Sequence, residues 1–171
     1  IHTMLDLEQY IGTSIDWVSG KSFDEIIIRK DKKYLPNVTQ RFCTSEMKLN
    51  PIFHWWLKNI NEPVDMRIGF RANEMRRAET MKSKLNNEGL LEFKHIVGKS
   101  KNGKRNKWKN TGWQKPSFPL IEDAMFKDTI EEYWKDKPVR FAYMNNCIGC
   151  FHRNHMLLKL MSERHPEKFE W

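Results

Sequence analysis

The sequence predicts an α/β fold. Amphipathic stretches with helical spacing alternate along it with short runs in which apolar residues recur at every second position. A glycine-led basic segment, Gly69 to Arg77, falls where one such strand gives way to a helix. With 171 residues, 39% hydrophobic and 12% aromatic, the chain is long and apolar enough to bury a core, about two-thirds of its unfolded surface, and is expected to form a single domain over 1–171.

The elements follow in order. Met4 to Ile11 has the spacing of the end of an amphipathic helix, stopped by Gly12. Ile15 to Val18 is a short strand candidate. Ser22 offers an N-cap for a helix over Phe23 to Arg29, with Asp24 and Glu25 in the first turn, where the helix dipole favours acids. Asp31 to Gln40 is a polar loop containing Pro36. Thr44 is placed to cap a helix running to about Asn59, and Pro51 predicts a break or a second start near Asn50. Val64 to Phe70 alternates as a strand does, Asn73 to about Asn86 is helical in composition, and Leu91 to Val97 is a further strand. Asp123 to Lys135 holds one or two helices, with Asp128 as N-cap for Thr129 to Trp134. Phe151 to Arg164 forms a helix whose Met156, Leu157, Leu160 and Met161 share a face.

Charge is concentrated. The net charge is +8, and the stretch Phe93 to Ile121 contains eight Lys and Arg and no Asp or Glu, leaving the remainder with 22 of each sign. Between Leu91 and Pro119 this predicts a basic loop over 98–117, in which Trp108 and Trp113 are interleaved. A cationic segment with aromatics suits a nucleic-acid backbone; a solvated surface loop is the plainer reading. No apolar run approaches the roughly 20 residues needed to span a bilayer. Three cysteines do not make a secreted disulfide framework, and a cytoplasmic, reducing setting fits them better.

Two constellations bear on chemistry. Cys147-Ile-Gly-Cys150 can bring two thiolates onto one metal centre, with Cys43 as a third ligand. Three thiolates suit a 4Fe–4S cluster with one open iron, or zinc completed by His152 or His155; a buried Cys43 and an idle reduced pair is the alternative. In Gly69-Phe-Arg-Ala-Asn-Glu-Met-Arg-Arg77, Arg71 offers a fork for phosphate or sulfate at a helix start, or Glu74 pairs locally with Arg71 or Arg77. Ser19-Gly-Lys-Ser22 is not a phosphate loop, which would need Gly where Ile15 stands.

Taken in order, several segments resemble the phosphoadenosine phosphosulfate (PAPS) reductase family of the adenine nucleotide alpha-hydrolase-like superfamily. Arg41-Phe-Cys43-Thr-Ser-Glu-Met-Lys48 is similar to its Arg-x-Cys segment, and Gly69-Phe-Arg71-Ala-Asn-Glu74 to its Gly-x-Arg-x-x-Glu segment. Pro119-Leu-Ile121, with the helix to Trp134, resembles its Pro-Leu region. Asn146-Cys147-Ile-Gly-Cys150-Phe151 resembles the terminal Cys-x-x-Cys of phage and bacterial members. The resemblance implies a Rossmann-like fold binding an adenine nucleotide, ATP or PAPS. Lys48 and Arg71 would face its anionic group, with Arg41 and Arg76 as further candidates, and Cys43, Cys147 and Cys150 would be cluster ligands. The implied chemistry is sulfonucleotide reduction, sulfur transfer or cleavage at the α-phosphate. The family's Ser-Gly-Gly-Lys-Asp-Ser loop is expected upstream of Ile1, on the reading that the chain is a fragment. The Glu-Cys-Gly-x-His nucleophile that reduction requires is not in the sequence. A non-catalytic nucleic-acid- or virion-associated module using the 93–121 segment is the alternative function.

Overall fold

Ser22 starts the second helix by the chemistry its sequence predicts. Its Oγ accepts from the Glu25 N–H at 3.2 Å, and the Glu25 carboxylate accepts from the Ser22 N–H at 2.7 Å, a reciprocal capping box. The computed structural model describes residues 2–29, 35–141 and 148–170. These form two compact units, one of Ile1–Trp55 with Pro138–Trp171 and one of Trp56–Lys137.

In the first unit α1 (His2–Ile11) ends as expected. Gly12, at φ +72°, donates to Glu8 O at 2.9 Å in the left-handed conformation that glycine adopts without penalty. Ile15 to Val18 forms no strand. This segment is non-regular, with Trp17 and Val18 exposed, and the Ile15 N–H is taken by the Glu8 carboxylate at 2.6 Å. After α2 (Phe23–Arg29), a short turn α3 (Phe42–Thr44) runs through a π-helical turn, Ser45–Leu49, into α4 (Asn50–Asn59). Thr44 is therefore inside the helix, not its cap. Pro51, second in α4, has no N–H to give to a carbonyl four residues back, and the wider π turn absorbs the mismatch. The last helix, α8, spans His155–Arg164 rather than starting at Phe151, because the Asn154 side chain accepts from Leu157 N–H at 2.9 Å. Met161 is buried and Met156 is exposed. The core of this unit includes Ile26, Ile27, Phe53, Val139 and Met161.

The second unit carries a three-stranded mixed sheet of order β1–β3–β2. β1 (Val64–Arg67) runs parallel to β3 (Asn106–Ser117), and β2 (Leu91–Lys99) runs antiparallel to it. Helical segments alternate with these strands along the chain, so the α/β class holds. The basic segment expected as a loop over 98–117 is a β-hairpin, with only its tip, 100–105, outside the strands. Cross-strand pairing with Leu91–Lys99 overrides the poor strand propensity of its Lys, Asn and Gly residues. Between β1 and β2, a 3₁₀ turn, Ala72–Glu74, leads into α5 (Met75–Lys82), shorter than the stretch to Asn86. Asn86 instead organises the next turn, its Oδ1 accepting from Glu88 and Leu90 N–H at 3.0 and 2.9 Å. Beyond β3 come α6 (Pro119–Glu122), with Pro119 at its first position, and α7 (Lys127–Trp134). Phe126 precedes α7, so Asp128 lies in its first turn instead of at the cap. Trp56, Ala78, Leu90, Trp113 and Phe118 are buried, with Trp56 and Trp113 edge-to-face at 5.8 Å. Trp56 satisfies its indole N–H on Glu62 O at 2.8 Å, as a buried tryptophan requires.

Candidate functional site

The parallel pairing of β1 and β3 brings the segments that follow both strands side by side. Ile68 N–H donates to Ser117 O at 2.9 Å, and Ala72 N–H to Met125 O at 2.9 Å. In open α/β sheets ligands collect at these carboxyl ends, because the strands stop there while the loops remain free to carry side chains.

Each strand delivers an aromatic residue just beyond its end. Phe70 and Phe118 stack with centroids 5.7 Å apart and planes within 14°. The Arg77 guanidinium lies 4.2 Å from the Phe70 centroid and the Lys82 ammonium 5.4 Å from that of Phe118. Two cations thus rest against an aromatic pair whose π faces attract them.

Glu74 organises the arginines. Its carboxylate accepts from the Arg71 N–H at 3.1 Å, from Arg71 Nε at 3.1 Å, and from Arg77. The Arg71 backbone N–H, opposed by burial and assisted by the two guanidinium groups, holds the Glu74 carboxyl down at about 2. Glu74 is therefore anionic and fixes the direction of Arg71. Local pairing of Glu74 with both arginines is thus what the structure forms. Of the Arg71 guanidinium it engages only Nε, and no other described side chain takes the terminal nitrogens of the fork. A half-exposed, pre-oriented guanidinium can receive a phosphate or sulfate oxygen in bidentate fashion.

The other sequence candidates fall elsewhere. Arg76 is exposed and takes no part in the Glu74 cluster; its carbonyl accepts from Thr80 Oγ1. Arg41 and Lys48 are exposed residues of the first unit, flanking Cys43 before α3 and in the π turn. Arg71 and Arg76 belong to the second unit. Gly20 of Ser19-Gly-Lys-Ser22 packs so closely on the Pro51 ring that a Cβ would collide with it. That contact, with the Ser22 cap, accounts for the motif without a phosphate.

Cys43 and Cys150 are free, half-buried thiols of the first unit. Cys147 lies outside the described residues. Among the described residues no three His, Cys, Asp or Glu side chains gather closely enough to hold a metal, and His152 and His155 are exposed. The residues that sequence reasoning passed over are Phe70, Phe118 and Lys82. For the two phenylalanines the signal is positional, since both stand one to three residues past a strand end.

Among the described residues no helix is long and apolar enough to cross a membrane. No family model, curated protein or solved structure matches the chain.

Proposed function

We propose that this chain is a PAPS reductase-like protein with a Rossmann-like fold. It binds an adenine nucleotide, ATP or PAPS, and acts in sulfonucleotide reduction, in sulfur transfer or in cleavage at the α-phosphate. The observation that carries this reading is Arg71, held by Glu74 at the carboxyl end of β1, with the tips of its fork taken by no described side chain. Arg71 receives the anionic group of the nucleotide, with Arg76 of the same unit as a further candidate. The order of the Arg41–Lys48, Gly69–Glu74, Pro119–Ile121 and Cys147–Cys150 segments supports the same assignment.

Calorimetric titration with ATP and with PAPS tests it. Losing a hydrogen-bonded charge pair costs about 1.5–3 kcal/mol, so Arg71→Ala is expected to weaken nucleotide binding roughly 10- to 150-fold, whereas Arg105→Ala does not. Absence of binding to either nucleotide, or an Arg71→Ala variant that binds as tightly as the parent, overturns the reading.

Cys43, Cys147 and Cys150 would hold a 4Fe–4S cluster, or zinc, in this proposal. A cluster at such a site supplies redox or Lewis-acid chemistry. Anaerobic reconstitution with iron and sulfide is expected to give visible absorption that Cys43→Ala loses. Stoichiometric zinc without iron selects the structural alternative, and a metal-free, colourless protein removes both.

A further inference from the structure

The basic segment has a geometry that its sequence does not disclose. In the β2–β3 ladder Lys94 stands opposite Asn110, Ile96 opposite Trp108, and Lys99 opposite Asn106. Directly opposed residues of an antiparallel pair share a face, and alternate residues of one strand return to it. Lys94, Ile96, Lys99 and Trp108 therefore lie together on one face of the ribbon. Trp108 is 55% and Ile96 48% exposed. The Lys94 ammonium sits 5.7 Å from the Trp108 ring centroid. At the foot of this face Glu92 is engaged by the side-chain amides of Asn86 and Asn110, both at 3.2 Å.

The tip is an ordered turn. Ser100 N–H donates to Arg105 O at 2.7 Å, Ser100 Oγ to Asn102 Oδ1 at 2.6 Å, and Gly103 takes φ +71°. It presents Lys101, Lys104 and Arg105, all exposed. Among the described residues no Lys or Arg from Lys94 to Lys109 is ion-paired. Lysines on an open strand edge discourage sheet-to-sheet pairing, and that role accounts for the charge. It does not account for an exposed indole set opposite an exposed isoleucine.

We propose that this face of the hairpin binds single-stranded nucleic acid. Trp108 stacks on an unpaired base with Ile96 beside it, Lys94 and Lys99 neutralise the adjoining phosphates, and the basic tip follows the backbone. An accessible indole is a platform for any base, and an acid-free stretch from Phe93 to Ile121 complements a polyanion. The charge is complementary to nucleic acid of either sugar, so DNA and RNA are compared directly. This inference stands apart from the adenine-nucleotide reading, whose residues lie outside the hairpin.

The test is fluorescence anisotropy of labelled oligo(dT), oligo(U) and a duplex against the full chain, at about 50 and about 200 mM salt. Single strands are expected to bind more tightly than duplex, with affinity falling as salt rises. Trp108→Ala is expected to weaken binding roughly 5- to 150-fold, with most of the loss restored in Trp108→Phe. Replacing Lys101 and Lys104 by alanine is expected to flatten the logarithmic salt slope by about 0.7 for each phosphate no longer neutralised. Circular dichroism melts establish that each variant keeps its fold. No binding at the lower salt, preference for duplex, or an intact Trp108→Ala variant with unchanged affinity overturns the proposal. Arg71→Ala leaves this binding unaltered, which separates failure here from failure of the nucleotide site.

Discussion

Glu74 and Asp6 show how single carboxylates tie segments together. Glu74 joins Arg71 to Arg77 across one turn. Asp6, buried on α1, takes Arg140 by its Nε at 2.8 Å, its terminal nitrogen at 2.7 Å and its backbone N–H at 2.9 Å. The side-chain and backbone donors of Arg140 hold the Asp6 carboxyl well below the ordinary carboxylate range. The first pairing could be read from the i, i+3 spacing. The second joins residues far apart in sequence, and nothing local distinguishes Asp6 from the other acids. A carboxylate with a depressed pKa stabilises the fold while it is charged. Glu74's contribution is complete above its ordinary value of 4.5 and is lost as pH falls toward about 2. Thermal melts are therefore expected to show a melting temperature that drops between these pH values, with a shallower drop in Glu74→Gln. An unchanged pH profile in that variant would show that Glu74 carries none of this dependence.

Element boundaries are legible where the signal is local. Gly12 and the Ser22–Glu25 box act within one turn, and both work in the structure as their residue types dictate. Thr44 and Asp128 are cap-forming residues that the chain leaves inside helices, because Phe42 and Lys127 are already helical when they are reached. The hairpin departs furthest from its sequence pattern. The Lys, Asn and Gly residues of its second strand are individually poor strand formers, and only the pairing of Asn106–Ser117 with Leu91–Lys99 makes them a strand. Its base is close-packed. A Cβ on Gly112 would meet Leu90 Cδ1 at 3.1 Å and Asn86 Nδ2 at 3.2 Å. Leu90 is buried and Asn86 is fixed by the two N–H groups it accepts, so neither can yield cheaply. Gly112→Ala is expected to destabilise the protein by about 1–3 kcal/mol, read as a lower urea midpoint. A variant as stable as the parent would mean that this turn relaxes freely.

For the molecule as a whole, the sequence by itself determined the α/β class, most of the helices, the β1 and β2 strands and the concentration of charge in one segment. These follow from periodicity, caps and composition, which act over a few residues. Tertiary structure decided what those segments become together. The parallel pairing of β1 with β3 sets Phe70 against Phe118 and Ala72 against Met125, and so makes a strand end of Arg71. Antiparallel pairing makes a ribbon of the basic segment, with Trp108 and Ile96 on one face. The fold also divides the four basic candidates between two units, Arg41 and Lys48 in one and Arg71 and Arg76 in the other. Which residues meet depends on strand register and chain return over tens of residues. A local pattern of residue types does not encode that information one residue at a time.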